Sequence, residues 1–467
     1  MAIENTHYGA CRIGKMLENC ESIFFVGIGG INMSSLAHIS KVKGLRVGGS
    51  DRTPSALTER LCDEGIEIYY SHDASHVKGY DALVYTVAIS EDNPEYREAE
   101  RLGIVRISRA DYMGYLMSGY GYRIGVSGMH GKSTCTSMCA QILIGADTDP
   151  TVLSGAELCA MGGAYRVGRE KYFLFEACEY MDSFLDFNPN VSVILNIEMD
   201  HVDYFKSMEH IKRSYRSFAQ IAKEGVCVAN ADDENVRSAL CGYDSKIIWF
   251  GINDKKADFY AENIKERGGC YSFDIICGTK LFAHVDLNVT GYHNIYNALA
   301  AAAALSFSEV SAEDIRKGLE AFGGAARRME YKGIVNGARV YDDYGHHPTE
   351  VKTTLLGAKG MTKGRLFCVF QSHTYSRTAA LLDGFADALS VADKVIITDI
   401  YAARETDTKG VTPELVAKKI GNAARACHSF ESAARILNEE LREGDVAIVM
   451  GAGDVWHTFE YLYFEEV

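Results

Sequence analysis

The sequence has no long hydrophobic run and no basic segment leading into an apolar one near its start. No uninterrupted apolar stretch approaches the ~20 residues that cross a bilayer, so we expect no membrane insertion. The first 21 residues mix charged and apolar side chains and lack the pattern of an export signal. These absences predict a soluble protein that stays in the cytoplasm.

The sequence also lacks an excess of positive charge and any Cys-x-x-Cys pair. The formal net charge of -15 argues against a nucleic-acid partner, because such binding needs a basic face. The 13 scattered cysteines suit a reducing compartment better than a disulfide framework. A zinc site at Cys135 and Cys139 is a less favoured alternative, because no second ligand pair lies nearby.

What the sequence does contain is a repeated strand, loop and helix pattern over 467 residues. The usual ~100–200 residues per domain suggests three domains. With 47% hydrophobic and 24% charged residues, the chain has the composition of folded globular proteins. We therefore predict an α/β protein in which each domain is built on a mostly parallel sheet with flanking helices.

The first domain has a glycine-rich turn that includes Gly29 and Gly30 and joins a strand pattern to a helix pattern. A second strand ends at Ser50 and Asp51, where the carboxylate could bond a ribose hydroxyl. Asn32 replaces the third glycine of the dinucleotide-binding pattern and should crowd the helix against the strand. The alternative is a structural turn without a ligand, with Asp51 as a helix cap.

The sharpest signal is the string Gly128-Met129-His130-Gly131-Lys132-Ser133-Thr134, which follows a strand pattern and opens a helix pattern. Its glycines let amide groups approach phosphate oxygens, the helix presents its positive end, and Lys132 adds a cation. Ser133 is placed to ligate magnesium. Val126 stands where the strict Walker spacing needs glycine, so an ordinary turn is the alternative.

Two further strand patterns in this segment end in carboxylate, amide and imidazole groups. These are Glu176, Cys178 and Glu179 after one strand, and Asn196, Glu198, Asp200, His201 and Asp203 after the other. Because ligands bind at the carboxyl ends of parallel strands, we expect these groups to converge on the phosphate loop. Hard oxygen ligands with one imidazole fit Mg2+ held against ATP phosphates, whereas solvated loop carboxylates are the alternative.

Three strings carry a resemblance to a known family: residues 342–350 (DDYGHHPTE), 128–134 (GMHGKST) and 291–298 (GYHNIYNA). Together they resemble the Mur ligases of peptidoglycan synthesis, and the matching motifs run over nearly the whole chain. The resemblance implies a Rossmann-like UDP-sugar domain at residues 1–118 and a P-loop-type ATP and magnesium domain at 119–324. A Rossmann-like, amino-acid-binding domain would follow at 325–467.

The resemblance also implies roles for individual residues. ATP would be bound by Gly128, His130, Gly131, Lys132, Ser133, Thr134, His293, Asn294, Asn297, Arg327 and Asp343. Magnesium would be held by Ser133, Glu176 and His201, and the UDP-sugar by Gly29, Gly30, Ser50 and Asp51. The amino acid would meet His373 and Arg377, and the catalytic set would be Lys132, His346, His347 and Arg377.

The activity that the resemblance implies is ATP-dependent joining of L-alanine to the lactyl carboxylate of UDP-N-acetylmuramate. The reaction would pass through an acyl phosphate and yield ADP and phosphate, in the synthesis of cell-wall precursors. Another Mur-type amino acid ligase is the nearest alternative. A nicotinamide-dependent oxidoreductase would explain only the first glycine-rich turn, and a non-catalytic nucleotide-binding regulator would have no need of the metal ligands and the paired histidines.

Overall fold

The computed structural model describes residues 3–201, 204–403, 405–406 and 410–465. Asp203, one of the groups expected near the phosphate loop, lies outside these ranges. The chain divides into two compact units, Met1–Phe259 with Ala300–Gly318 and Tyr260–Leu299 with Leu319–Val467. Within the described ranges, no helix combines the length and apolar character needed to span a membrane.

The first unit begins with a five-stranded parallel sheet in the order β3-β2-β1-β4-β5. Its strands are β1 Ser22–Val26, β2 Arg46–Ser50, β3 Glu67–Tyr69, β4 Ala82–Tyr85 and β5 Val105–Ser108. Its helices are α1 Ala10–Met16, α2 Ile31–Val42, α3 Ala56–Asp63, α4 Pro94–Leu102 and α5 Arg109–Met117. Every residue of β1 is buried, as expected for a central parallel strand that is covered on both faces.

A second sheet of the first unit carries the predicted phosphate loop. Its strands are β6 Tyr122–Ser127, β7 Thr151–Leu158, β8 Gly163–Arg166, β9 Tyr172–Glu176, β10 Val191–Ile194, β11 Val226–Asn230 and β12 Ile247–Gly251. They lie in the order β12-β11-β10-β6-β9-β7-β8, and the β7–β8 pair is antiparallel. The helices are α6 Lys132–Gly145, α7 Met208–Ile221 and α8 Glu234–Ala239, with 3-10 turns at Cys159–Met161 and Tyr180–Asp186.

The chain continues with β13 Phe259–Arg267, β14 Cys270–Cys277, β15 Lys280–Thr290, α9 His293–Ser306 and α10 Ala312–Ala321. In the second unit, β15 pairs antiparallel with β14. A six-stranded sheet follows in the order β16-β17-β21-β18-β19-β20, and its first strand pairs antiparallel with the next. Its strands are β16 Glu330–Val335, β17 Ala338–Asp343, β18 Leu366–Phe370, β19 Lys394–Ile397, β20 Ala424–Ala426 and β21 Val446–Met450.

Helices cover both faces of the six-stranded sheet. They are α11 Pro348–Met361, α12 Tyr375–Ala380, α13 Leu382–Leu389, α14 Pro413–Ile420 and α15 Phe430–Glu440, with a 3-10 turn at Val455–Tyr461. Val351 of α11 and Phe385 of α13 belong to one buried cluster, and Leu437 of α15 belongs to the other. The mostly parallel sheets with flanking helices confirm the predicted three-domain α/β architecture, whereas the exact boundaries stay predictions.

Local sequence signals explain where individual helices begin and end. Asn93 caps α4 by accepting from the main-chain nitrogen of Tyr96 at 3.0 Å, Pro94 occupies the first turn, and Gly103 ends the helix in a left-handed conformation. Helix α11 begins with a capping box in which the side chain of His347 accepts from the first turn. Both helices follow a loop that leaves the carboxyl end of a parallel strand, β4 for α4 and β17 for α11.

One expectation about local structure and one alternative prove wrong. Asn32 does not crowd α2 against the sheet, because it lies exposed in the first turn of that helix. Asp51 is not the cap of α3, because Ser55 caps that helix and accepts from the main-chain nitrogen of Thr58. Cys135 and Cys139 are fully buried in α6, as expected for small core side chains.

Candidate functional site

The phosphate loop lies between the end of β6 and the start of α6, which is the setting that the sequence predicts. Gly128 and Gly131 have φ angles of 142° and 83°, in the region that favours glycine. A Cβ atom at Gly128 would lie 2.9 Å from the Cβ atom of Leu195. A side chain is therefore excluded at Gly128, and the main chain follows the end of β10 closely.

Lys132 opens α6 and folds its ammonium group back over the loop. Its Nζ atom donates to the carbonyl oxygens of Gly128 at 2.6 Å and Met129 at 3.2 Å, and lies 3.2 Å from Oε2 of Glu179. Burial by itself lowers the pKa of Lys132, but the neighbouring Glu179 carboxylate outweighs it and raises the pKa above its ordinary value. Lys132 is thus a fixed, fully charged cation beside the loop.

Oxygen and imidazole groups gather beside this cation because β6 lies between β9 and β10 in the sheet. At the end of β9, Oε2 of Glu176 accepts from the hydroxyl of Ser133 at 2.8 Å and from the main-chain nitrogen of Gly155 at 2.9 Å. After β10, Nε2 of His201 lies 3.1 Å from Oε1 of Glu179. A hydroxyl, carboxylates and an imidazole form a donor set that suits Mg2+.

The remaining loop residues have more local roles. Thr134 lies in the first turn of α6. Nε2 of His130 lies 3.3 Å from Oε2 of Glu198, whose side chain is 36% exposed, so this pair stands at the solvent edge of the loop. Of the sequence-predicted ATP and metal residues, the structure therefore places those of the loop, Glu176 and His201 at the carboxyl ends of neighbouring strands.

The predicted UDP-sugar residues lie at the carboxyl edge of the first sheet. Gly30 precedes α2, and the main-chain nitrogen of Gly29 donates to Oδ2 of Asp51 at 2.7 Å. Ser50 is fully buried, and its hydroxyl lies 3.2 Å from Nδ1 of His72. Asp51 thus fixes the glycine-rich turn, while the ribose contact expected for it stays a prediction.

Three of the residues predicted to bind ATP, His293, Asn294 and Asn297, lie at the start of helix α9. The amide of Asn294 donates to the carbonyl oxygen of Thr290 at 2.8 Å, and the amide of Asn297 donates to Oδ1 of Asn294 at 2.9 Å. Burial lowers the pKa of His293 to about 4. The imidazole is therefore neutral near pH 7, and the three side chains form a polar, uncharged group.

Arg327 and Asp343 are both held within the second unit. Asp343 is buried and accepts from the main-chain nitrogens of Met329 at 2.9 Å and Gly345 at 2.8 Å. Arg327 donates to the carbonyl oxygen of Gly451 at 2.6 Å and lies 3.3 Å from Asp342, whose pKa burial raises to about 6. These contacts order the loop that leads to His346, and their role toward a nucleotide stays a prediction.

His346, His373 and Arg377 lie together beyond the carboxyl ends of β17 and β18. The ring centroids of His346 and His373 are 5.9 Å apart, and a guanidinium nitrogen of Arg377 lies 3.5 Å from Nδ1 of His373. His347 stands apart in its role, because its Nδ1 atom accepts from the main-chain nitrogen of Thr349 at 3.4 Å as the cap of α11. His347 therefore caps a helix, whereas His346 lies beside His373, and the roles of both toward an amino acid stay predictions.

The sequence pattern placed Glu179 and Asn196 near the loop but assigned them no role. Glu179 is almost fully buried between Lys132 and His201, and Asn196 bonds the main chain of His130. Their position shortly after the ends of β9 and β10 is the signal that points to them, because both strands flank β6. Several polar residues lie at such an edge. The conformation of the turn after each strand decides which of them faces the loop.

Comparison with known proteins decides the family. A UDP-N-acetylmuramate--L-alanine ligase of Clostridium tetani is 44% identical over 445 residues, covering 94% of this chain and 97% of that protein. The protein of the same name from Acetivibrio thermocellus is 46% identical over 443 residues, covering 94% of each. The chain belongs to the Mur ligase family. Membership in this family explains both glycine-rich turns, whereas the oxidoreductase alternative explains only the first.

Three family models, each for a single Mur ligase domain, match successive parts of the chain. They are "Mur ligase family, catalytic domain" at residues 22–121, "Mur ligase middle domain" at 126–305 and "Mur ligase, glutamate ligase domain" at 327–453. Solved Mur ligases share the fold. The UDP-N-acetylmuramate-alanine ligase of Thermotoga maritima has a TM-score of 0.77 at 26% identity, covering 94% of this chain and 98% of that one.

A second solved structure extends the comparison to another ligase of this family. The murein peptide ligase of Psychrobacter arcticus has a TM-score of 0.69 at 25% identity, covering 95% of this chain and 98% of that one. The two structures carry different names on the same Mur ligase fold. Substrate choice within the family must therefore be argued from the site and not from the fold.

Proposed function

We propose that this chain joins L-alanine to the lactyl carboxylate of UDP-N-acetylmuramate at the expense of ATP, in the synthesis of peptidoglycan precursors. The constellation of Lys132, Ser133 and Glu176 at the phosphate loop carries the proposal, because it offers a cation and metal ligands where a phosphoryl group can move. The relatives named as UDP-N-acetylmuramate--L-alanine ligases, at 44% and 46% identity, support the choice of substrates.

The first step activates the carboxylate, which by itself is too poor an electrophile for an amine. A carboxylate oxygen attacks the γ-phosphorus of ATP, the bond to the β-phosphate oxygen breaks, and ADP leaves an acyl phosphate behind. Lys132 stabilises the charge of the transferring group from its fixed position over the loop. Ser133, Glu176 and His201 would hold Mg2+, which when bound neutralises phosphate charge.

The second step forms the amide bond. The amine nitrogen of L-alanine attacks the acyl carbon, loses a proton, and expels inorganic phosphate as the tetrahedral intermediate collapses. His346 is our candidate for taking the proton, because an imidazole can act as a general base and this one lies beside His373. Arg377 would hold the carboxylate of L-alanine, since its planar guanidinium can bind both carboxylate oxygens.

The UDP-sugar would be bound at the edge of the first sheet, where Gly29, Gly30, Ser50 and Asp51 lie. In parallel sheets this edge is the usual site for nucleotides.

The substrates are small molecules. The 13 cysteines are scattered without a Cys-x-x-Cys pair, as suits a reducing compartment, so we propose that the chain works in the cytoplasm.

The test is phosphate release by the purified chain with ATP, MgCl2 and UDP-N-acetylmuramate against separate amino acids. We expect release to depend on all three and to be strongest with L-alanine, with glycine and L-serine weaker and D-alanine inactive. The product should be UDP-N-acetylmuramoyl-L-alanine by mass spectrometry. Equal release with every amino acid, or release without the sugar nucleotide, would sink the proposal, and preference for another amino acid would make this a different Mur-type ligase.

A further inference from the structure

Asn196 lies just beyond the end of β10, after Leu195, and its side chain bonds both main-chain polar groups of a single residue in the phosphate loop. The main-chain nitrogen of His130 donates to Oδ1 of Asn196 at 2.9 Å, and Nδ2 of Asn196 donates to the carbonyl oxygen of His130 at 2.9 Å. The main-chain nitrogen of Met129 adds a longer bond to the carbonyl oxygen of Asn196 at 3.4 Å. The middle of the loop is thus fastened to the end of the neighbouring strand.

The anchor is itself held in place. The main-chain nitrogen of Leu195 donates to the carbonyl oxygen of Ser127 at 3.0 Å, which continues the pairing of β10 with β6 up to the loop. The amide of Asn230, at the end of β11, donates to the carbonyl oxygen of Leu195 at 2.9 Å. Gly128 also lies so close to Leu195 that the start of the loop has no room to move toward the end of β10. Asn196 therefore projects from a rigid strand end.

This arrangement decides which amide groups form the phosphate cradle. The amide hydrogens of Met129 and His130 are directed to Asn196, so they are not the donors that face a phosphate. The donors that can do so are the main-chain nitrogen of Gly131, which precedes α6, and those of the first helical turn from Lys132 onward, because the first amides of a helix have no acceptor within it. The loop must hold one conformation for these amides and Lys132 to converge on a single anion.

We propose that Asn196 is a positioning residue for the ATP step: it fixes the His130 peptide so that the start of α6 presents a preformed phosphate site. This inference rests on the proposed function. Only an amide side chain supplies a donor and an acceptor side by side, as the two polar groups of His130 require. Aspartate would keep the acceptor alone, and alanine would leave both groups of His130 without these partners.

Asn190 provides a matched control at the opposite end of the same pair of strands. Its Oδ1 atom accepts from the main-chain nitrogen of Arg123 at 2.8 Å, and its Nδ2 atom donates to the carbonyl oxygen of Gly121 at 2.7 Å. The two asparagines make the same kind of two-way bond to the β6 segment. They differ in that Asn190 lies at the amino end of β6, away from the loop.

The experiment compares Asn196→Ala and Asn190→Ala by equilibrium binding of ATP in calorimetry and by steady-state kinetics. We expect Asn196→Ala to raise the Kd and KM for ATP about tenfold and to leave the KM for L-alanine within about twofold. Asn190→Ala should lower thermal stability comparably and leave ATP binding unchanged. Equal effects of both variants on ATP binding, or none from Asn196→Ala, would overturn the proposal.

Two further measurements separate a folding defect from a binding defect, and this inference from the proposed function. If Asn196→Ala does not fold, Asn196→Ser is tested in the same way, because its shorter hydroxyl does not span both groups of His130, and normal ATP binding by that variant would overturn the inference. Direct ATP binding does not depend on which substrates are joined. A wild-type chain that binds ATP but forms no amide would refute the proposed function, while the Asn196 comparison could still succeed or fail.

Discussion

The carboxylate of Glu179 fixes the ammonium group of Lys132, with Oε2 lying 3.2 Å from Nζ. The same side chain is 1% exposed, and its other oxygen lies 3.1 Å from Nε2 of His201. One buried carboxylate therefore orients both the cation of the phosphate loop and a proposed magnesium ligand. Although burial by itself raises the pKa of Glu179, Lys132 and His201 together hold it below its ordinary value.

The first prediction concerns this pair. Glu179→Gln and Lys132→Met should each destabilise the chain by about 2 kcal/mol, because each leaves a largely desolvated charge without its partner. The double variant should cost less than the sum, with a coupling of about 1–2 kcal/mol in a urea-denaturation cycle. Glu170→Gln, which removes a charge from an exposed pair with Lys43, is the control and should be nearly neutral. Additive effects at Glu179 and Lys132 would contradict the prediction.

The second prediction concerns magnesium. Glu176→Gln keeps an oxygen near Ser133 but removes the negative charge, so the Mg2+ concentration for half-maximal phosphate release should rise about tenfold or more. Titration of MgCl2 at saturating ATP measures this shift. The exposed Glu170→Gln variant should titrate like the wild type. An unchanged magnesium dependence in Glu176→Gln would remove Glu176 from the metal site.

The third prediction concerns the amino acid. Arg377→Ala should raise the KM for L-alanine about 100-fold, because a charge-assisted bidentate contact is lost, and should leave the KM for ATP nearly unchanged. Arg425→Ala serves as a control within the same unit, since Arg425 pairs with Glu440 and is half exposed. If alanine binding were normal in Arg377→Ala, another group would have to hold the substrate carboxylate.

The fourth prediction uses the imidazole of His293, whose Nδ1 atom is buried. Its pKa falls from 6.5 in a model peptide to about 4 in the fold, so the native state resists the proton that the unfolded chain accepts. Stability from this group is complete above pH 6.5 and is lost as the pH falls toward 4. Between about pH 7.5 and pH 5, the free energy of unfolding should therefore fall by roughly 2 kcal/mol more in the wild type than in His293→Gln. Urea denaturation at the two pH values measures this difference. If the free energies of unfolding of the two proteins changed with pH in the same way, the prediction would be wrong.

Much of the fold follows from periodicity and end signals in the sequence. The strand Leu366–Phe370 is a run of five apolar residues and lies where the pattern puts it. The phosphate loop is equally readable, because glycine, lysine and serine at fixed spacing after a strand have few other uses. Buried parallel strands and a glycine-rich turn are local features, and local sequence determines them.

The partners of the site residues could not be read from the sequence. Glu179 meets Lys132 across 47 positions of chain, and just after Glu179 the main chain passes through the left-handed region at Met181 and Asp182, with φ angles of 54° and 55°. Methionine rarely adopts this conformation, and aspartate, although it does so more often, is found far more commonly outside it. Likewise, two adjacent histidines look equivalent in sequence, yet His347 is taken up as a helix cap and His346 is turned toward His373.

The central claim is that this chain transfers a phosphoryl group from ATP to the sugar carboxylate before the amide forms. The direct measurement is the fate of 18O placed in the lactyl carboxylate of UDP-N-acetylmuramate, followed by mass spectrometry of the released phosphate. The account predicts one labelled oxygen from the carboxylate in each phosphate, and no release above background from Lys132→Ala. Unlabelled phosphate alongside normal amide formation would contradict the acyl phosphate and the role given to the loop.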